Sequence, residues 1–379
     1  MKWEKKKLCE CTEYITDGDH QPAPKADKGV HFIKIKDIVD NQVSFDAQVY
    51  VPQEYYDNLP MERKPQKEDV LYTVVGSFGI PSYVQTDELF CFERNIALLH
   101  PNKDIEPRFL YYSLKNPAFY KGVEIVANGS AQKLIPLSKL KDLKISVPDK
   151  EAQRHIADIL SAYDDLIENN QKQIKLLEEA AQRLYKEWFV DLRFPGHENT
   201  KIVDGVPEGW RRGLLKELIS VNYGKDHKKA PDDGNIPVYG SGGLMRKCNK
   251  SLFSGEAVLI PRKGSLNNIM YVDETFWTVD TMFYATMKQP HTAIFVYFFV
   301  KAFDMYSMNI GAAVPSMTTK ILDAMDVVIP DKETLEKFDK LTKTYFNKIK
   351  TLQGQNNRLK IARDLLLPKL MYETQKGDF

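Results

Sequence analysis

Cysteine is scarce in this chain, with four thiols in 379 residues: Cys9, Cys11, Cys91 and Cys248. None forms a Cys-x-x-Cys pair and no histidines follow at finger-like spacing, which argues against structural zinc and against a disulfide framework. No apolar run approaches the roughly 20 residues that span a bilayer. The opening Met1-Lys2-Trp3-Glu4-Lys5-Lys6-Lys7 has no apolar stretch behind it, so no signal peptide is expected and the cytoplasm is the expected compartment. Charge of one sign is lacking too. The 53 Lys and Arg balance 52 Asp and Glu to a net +1, which excludes a generic polycation that coats nucleic acid while leaving room for a local basic face.

Catalytic signatures are missing as well. There is no Gly-x-x-x-x-Gly-Lys-Ser/Thr loop for ATP, and no Asp…Glu-x-Lys nuclease set can be placed. Asn116-Pro117-Ala118-Phe119 looks like the Asn-Pro-Pro-Tyr loop with which amino-methyltransferases hold a flipped base, but the second proline is absent and no Gly-rich cofactor loop precedes it. A helix end closed by Asn-Pro is the ordinary reading. His20 and His227 each follow an aspartate with no nucleophile or metal cluster beside them. No metal or other cofactor is expected.

What is present is a duplication. Residues Gly129–Leu140 and Val147–Glu151 match Gly311–Leu322 and Ile329–Glu333 at a constant offset of 182. The register continues into the next segment, pairing Tyr163 with Tyr345, Leu177 with Leu359 and Leu184 with Leu366. Upstream, Trp3 and Leu8 match Trp210 and Leu215, and Asp19-His20 matches Asp226-His227. Glu68, Val70, Gly76-Ser77 and Tyr83-Val84 match Glu256, Val258, Gly264-Ser265 and Tyr271-Val272. Different offsets imply loops of different length on one frame. Within each repeat, Val70–Val75 and Ala257–Ile260 read as strands ending in Gly-Ser turns, and Pro107–Leu114 and Thr292–Phe303 read as short helices. Each repeat is expected to be a compact α/β (α+β) domain.

From Lys150 to Val190 there is no Pro or Gly, and Ile156, Tyr163, Asn170, Leu177 and Leu184 recur every seven residues. Leu160, Ile167, Ile174, Ala181 and Trp188 interleave with them, which is a coiled-coil seam. A second seam runs through Phe338, Tyr345, Leu352, Leu359 and Leu366, interleaved with Thr342, Ile349, Asn356, Arg363 and Leu370; Gly354 interrupts it. Residues 149–195 carry a net −3 and 331–379 a net +4, which favours pairing these two helices antiparallel with each other. Asn170 and Asn356 either fix the register or are solvated. The expected division is a globular domain at 1–148, a helix at 149–195, a second domain at 196–330 and a second helix at 331–379.

The chain resembles the specificity subunits of type I restriction-modification systems. The residues carrying the likeness are Pro207-Glu208-Gly209-Trp210, Gly129–Leu143 leading to Ile145-Ser146-Val147-Pro148, Glu151–Ile156, Leu160–Asn170, Leu184–Val190, and Leu365-Leu366-Leu367-Pro368-Lys369-Leu370. Glu333–Phe338 departs from the pattern by lacking the usual glutamine. The resemblance implies two target-recognition domains that each read one half of a bipartite site in double-stranded DNA. It also implies helices that set the spacer and dock two methyltransferase subunits, with restriction subunits joining the full complex, and no catalysis by this chain. Phosphate contacts need Lys or Arg and base contacts need amide, hydroxyl or guanidinium groups. The DNA candidates are therefore Asp19, His20, Gln21, Lys34, Lys36, Gly129, Ser130, Gln132 and Lys133 in the first domain. In the second they are Lys225, His227, Lys228, Lys229, Tyr239, Ser241, Arg262, Lys263, Asn267 and Asn268.

Overall fold

The computed structural model describes residues 3–127, 133–308 and 316–371. The chain divides into two compact units: unit 1 comprises Met1–Asn169 and Gly354–Phe379, and unit 2 comprises Asn170–Gln353. Each unit therefore takes a globular part and a stretch of both long helices.

In unit 1, apart from the short hairpin Ile38–Val39 with Gln42–Val43, the strands are β1 (Glu4–Lys7), β2 (Thr12–Asp17), β3 (Val30–Ile33), β4 (Tyr50–Val51), β5 (Val70–Thr73), β6 (Pro81–Tyr83), β7 (Phe90–Phe92), β8 (Ile96–Pro101) and β9 (Lys144–Val147). Helices α1 (Pro107–Lys115) and α2 (Pro117–Val126) follow β8, and α3 (Lys150–Tyr185) leaves the domain. Strands β2-β8-β5-β6 make an antiparallel sheet, and β4-β3-β7 a second one in which β3 runs parallel to β7. Its core joins Leu8, Tyr72, Leu99, Phe109, Leu110 and Leu140, all fully buried or nearly so, to Ile156 and Leu160 on α3. Burying each of these large side chains stabilises the fold by about 2 kcal/mol before the entropy of ordering is subtracted.

Unit 2 repeats the plan with β10 (Arg211–Leu214), β11 (Ile219–Tyr223), β12 (Ile236–Gly240), β13 (Gly243–Cys248), β14 (Phe253–Pro261), β15 (Met270–Thr278), β16 (Met282–Met287) and β17 (Asp326–Ile329). Helix α4 (Ala293–Lys301) follows β16, and α5 (Lys332–Leu370) is the second long helix. The sheet order is β11-β16-β14-β15-β12-β13, with β12 parallel to β15. This is the order of unit 1, except that one nine-residue strand, β15, does the work of β6 and β7. In unit 1 the mostly exposed Gln85–Leu89 segment separates those two strands. Helix α4 is apolar almost all round and correspondingly buried from Ala293 to Phe298.

Hydrogen bonds superpose the repeats residue by residue. Strand β1 pairs Glu4 with Val147, and β10 pairs Arg211 with Ile329. The Leu8 N–H donates to the Leu143 carbonyl at 2.8 Å, and the Leu215 N–H to that of Met325 at 2.9 Å. Glu10 accepts from the Lys7 N–H at 2.6 Å, and Glu217 from the Leu214 N–H at 2.8 Å. Val70 faces Tyr83 across the ladder as Val258 faces Tyr271.

Both long helices start on an aspartate cap: the Ala152 N–H donates to Asp149 at 2.9 Å and the Thr334 N–H to Asp331 at 2.9 Å. Helix α5 thus begins at Lys332 without the first-turn glutamine. In unit 1, Gln153 ties α3 to the α1 entrance through the Glu106 N–H and the Asp104 carbonyl; Leu335, buried in unit 2, stands in its place. Within unit 1, α3 and α5 run antiparallel, with Asp164 meeting Arg363 and the Ile167 carbonyl accepting from Asn356 at 3.4 Å. Within unit 2, Tyr185 and Trp188 pack on Phe338 with ring centroids 6.3 and 5.9 Å apart. The buried positions on α5 include Phe338, Thr342, Ile349, Leu352, Asn356 and Arg363, which is a heptad seam carrying three polar members. Asn170 and Asn356 are both buried, which removes the solvated alternative for these two asparagines.

Candidate nucleic-acid interface

The site begins at two glycines. A Cβ on Gly18 would lie 2.2 Å from the Phe92 carbonyl oxygen, and one on Gly224 would lie 1.9 Å from that of Val279. Only glycine lets the chain leave β2 and β11 pressed against the neighbouring backbone. Asp17 faces Ala97 on β8 as Tyr223 faces Phe283 on β16, so Gly18 corresponds to Gly224. The pairing of Asp19-His20 with Asp226-His227 is therefore shifted by one residue, because the two loops diverge just after the glycine.

In unit 1, Asp19 accepts from the Gln21 N–H at 3.2 Å, Tyr55 Oη at 3.1 Å and Arg63 Nη1 at 3.2 Å. Burial disfavours the Asp19 anion, but these donors outweigh it and hold its carboxyl below the ordinary range. Burial and the same contact push Tyr55 up to about 12. Asp19 thus clamps the loop, with its oxygens already engaged. His20 is exposed and its Nε2 lies 3.0 Å from Asp17. His20, Gln21 and Lys34 come together on an open cavity of about 440 Å³, joined there by Lys25, Arg94 and Asn95, which the sequence reading had not selected. Lys36 is exposed on the turn Ile35–Asp37 and does not line the cavity. Lys133 Nζ sits 5.3 Å over the Phe78 ring and 3.6 Å from Glu124. Gly129, Ser130 and Gln132 lie outside the described residues.

In unit 2, Lys225 is exposed, with its backbone fixed by the Thr278 carbonyl at 2.9 Å and the Trp277 indole at 3.0 Å. Asp226 caps the turn His227–Lys229 by accepting from the exposed Lys228 at 3.0 Å. Arg246 fastens this turn: its Nε donates to His227 Nδ1 at 3.3 Å and its Nη2 to the His227 and Ala230 carbonyls, the latter at 2.7 Å. Arg246 leaves no local sign of this role, because its partners Ala230 and His227 lie 16 and 19 residues away. Tyr239 donates to Glu274 at 2.5 Å, and burial with that carboxylate raises its pKa; its hydroxyl is thus already engaged. Asn267 holds the Asp304 carboxylate at 3.0 Å and the Met305 N–H at 2.8 Å.

Asn268 donates to the Ser241 carbonyl at 2.8 Å and joins the β12–β13 turn to the loop after β14. Arg262 lies 5.4 Å over the Tyr223 ring and 5.9 Å over that of Phe283, and donates to the Asp280 carbonyl at 3.2 Å. Lys263 beside it is exposed. One surface thus collects Tyr223, Ser241, Arg262, Lys263 and Asn268.

The same frame carries different chemistry in unit 1. The Val74 and Arg262 N–H groups donate to Asn95 and Thr281 at 2.9 and 2.8 Å, and their carbonyls accept from Ile135 and Met317, both at 2.9 Å. Buried Val74 therefore occupies the place of Arg262. Asn116 accepts from the Ala118 N–H at 2.9 Å and caps α2, as a helix cap should. Among the described residues no group of three His, Cys, Asp or Glu side chains is arranged to hold a metal, and no helix is long and apolar enough to cross a membrane.

Comparison with known proteins places this architecture. The sequence pattern of the type I restriction modification DNA specificity domain matches residues 1–179 and again 207–360. The type I restriction enzyme MjaIX specificity subunit of Methanocaldococcus jannaschii is 27% identical over 320 residues, covering 74% of this chain and 71% of that one. The HindI specificity subunit of Haemophilus influenzae is 24% identical, covering 83% and 88%. The crystal structure of the S subunit of the type I restriction-modification system of M. genitalium aligns over 99% of this chain and 97% of its own, with a TM-score of 0.65 and 19% identity. At that identity the likeness speaks for the fold.

Proposed function

The chain belongs to the type I restriction-modification DNA specificity family, and from that premise we propose that each unit reads one half of a bipartite site in double-stranded DNA. The chain is a DNA-recognition subunit, and methylation and cleavage fall to other subunits. The reading proposed for the long helices is that they set the spacer between the half-sites and dock two methyltransferase subunits. Restriction subunits join that assembly, which works on DNA in the cytoplasm.

One observation supports the bipartite reading above the others. Two units share strand order and ladder register, yet where unit 2 offers Arg262 and Lys263, unit 1 offers Val74 and Val75. A duplicated frame with unlike loops suits two unlike half-sites; a protein-binding scaffold gives no reason for that contrast. Base edges would be read by Gln21 and Lys34 around the unit 1 cavity, and by Ser241, Arg262 and Asn268 in unit 2. Lys25, Lys225, Lys228 and Lys263 would meet phosphates. Asp19, Tyr239 and Asn267 act one step back, by fixing the loops.

Selection of bound duplexes from a random library by the complex reconstituted with methyltransferase subunits tests this. Two short conserved blocks separated by a spacer of fixed length are expected. A single uninterrupted block, or no sequence preference, defeats the bipartite reading.

A further inference from the structure

The tip of the β12–β13 hairpin in unit 2 is built unlike any other loop of that surface. Its turn, Gly240-Ser241-Gly242-Gly243, is held at Ser241 by Asn268 and open beyond it: a Cβ added at Gly242 or Gly243 would meet nothing within 4 Å. Just beyond it stand two consecutive large apolar side chains, Leu244 and Met245, 61% and 54% exposed. In a regular strand, consecutive residues point to opposite faces and one of the two would be covered. Here the ladder slips: Val238 pairs with Arg246 but Tyr239 pairs with Leu244, which leaves Met245 as the extra residue of a β-bulge. Bulges re-aim side chains and gather beside functional sites. Gly240 makes room, since a Cβ there would lie 2.4 Å from Met245 Sδ.

The charge around this tip is predominantly basic. Arg246 and Lys247 follow Met245 directly, and the loop bearing Arg262 and Lys263 is tied to the turn by Asn268. Between Lys225 and Lys263 there are eight Lys and Arg against four Asp and Glu. A protruding apolar pair set in a basic surface matches a polyanion with an apolar interior, which is a duplex whose base pairs can be parted. We propose that Leu244 and Met245 form a wedge that enters a base step of the half-site read by unit 2 and partly unstacks it. This rests on the DNA-recognition reading and adds selectivity for an easily opened step, such as pyrimidine–purine, at a position no side chain reads by hydrogen bonds. On the matching course of unit 1, Lys34 follows β3 where Gly240 closes β12, and the chain turns into Ile35–Asp37 without such a projection.

The test uses the complex with methyltransferase subunits on its selected duplex, with 2-aminopurine placed in turn at each adenine of both half-sites. The adenine that is flipped for methylation should brighten in every competent complex and reports assembly. A second, several-fold rise is expected at one step of the unit 2 half-site. In L244A/M245A this second rise should fall to the level of the free duplex, with the flipping signal retained and affinity lowered about tenfold. A wild-type complex that brightens only at the flipped adenine overturns the wedge, as does a second rise that survives in the variant. Loss of affinity on replacing a thymine by uracil, without unstacking, also overturns it in favour of a methyl contact. Failure to select any sequence would instead count against DNA recognition itself.

Discussion

The indole N–H of Trp210 donates to Asp331 at 2.9 Å, whereas the buried indole nitrogen of Trp3, at the matching place in unit 1, has no hydrogen-bond partner among the described residues. Asp331 also accepts from Thr334 Oγ1 at 2.7 Å while capping α5. Burial opposes the Asp331 anion, but Thr334 and Trp210 overcome it and hold the carboxyl below its ordinary range.

Two matching substitutions should therefore differ. Beyond the packed ring area that each loses, Trp210→Phe is expected to cost about 2 kcal/mol, the net worth of a hydrogen bond to a charged acceptor. Trp3→Phe removes a polar atom that is not bonded and should cost only the lost ring packing. Because the folded-state pKa of Asp331 lies below its unfolded value, the Asp331 contribution is complete above the ordinary carboxylate range and is lost as pH falls below that range, through the lowered folded value. Urea midpoints of the two variants at neutral pH, and of the wild type down to about pH 2, check this; equal losses at both tryptophans would contradict it.

Lys115, largely buried beside Tyr111 and 4.0 Å from Asp164, gives a second handle. Burial lowers its pKa to about 8, although Asp164 pulls the other way. Between pH 8 and 10.5 the unfolded chain binds a proton that the folded chain does not, so raising pH through that window should stabilise the fold. Relative to Lys115→Met, the wild type should gain about 2 kcal/mol across it. Parallel unfolding curves at pH 7.5 and 10 measure the difference, and a constant gap between the two proteins would show that Lys115 keeps its proton throughout.

Arg262→Ala with Lys263→Ala should leave the fold intact, since both side chains lie at the surface. With Lys263 on a phosphate and Arg262 on a base edge, affinity falls, the slope of log K against log salt becomes shallower by about 1, and preference relaxes at one base pair. Titrations at graded salt on matched and singly substituted duplexes decide the matter. An unchanged slope and unchanged preference would remove both residues from the interface.

The helices as a spacer can be tested without disturbing either unit, because the chain divides between Asn169 and Asn170 and between Gln353 and Gly354. Seven residues inserted at each point keep the heptad register and add about 10 Å, or about three base pairs of B-DNA. The complex should keep both half-site sequences and prefer a spacer longer by about that amount. Methylation mapping on templates of graded spacing reads it out; a folded variant loyal to the original spacer would end the idea.

The repeat was legible because its offsets are carried by residues that structure needs twice. Leu8 and Leu215, Asp149 and Asp331, and Tyr83 and Tyr271 recur since the same backbone bonds and ladder positions recur around them. Loop chemistry was less legible. Asp19, Tyr239 and Asn267 have the groups that read DNA, yet Tyr55, Glu274 and Asp304 engage them; those partners lie 36, 35 and 37 residues away, and only tertiary pairing reveals them. Arg246 and Arg94 were passed over for the same reason. The parallel β3–β7 and β12–β15 contacts also leave no local trace, since parallel pairing is set by a crossover rather than by a turn signal.

The division of the helices has a genetic consequence. Unit 2 is encoded by one uninterrupted stretch, codons 170–353, while unit 1 takes what lies on either side. Two crossovers near those codons would transplant a whole unit between related genes, with each crossover falling inside a long helix rather than in a globular part. On the bipartite reading, a cell acquires a new half of its restriction specificity in a single conversion event, and the inherited half goes on being recognised unchanged.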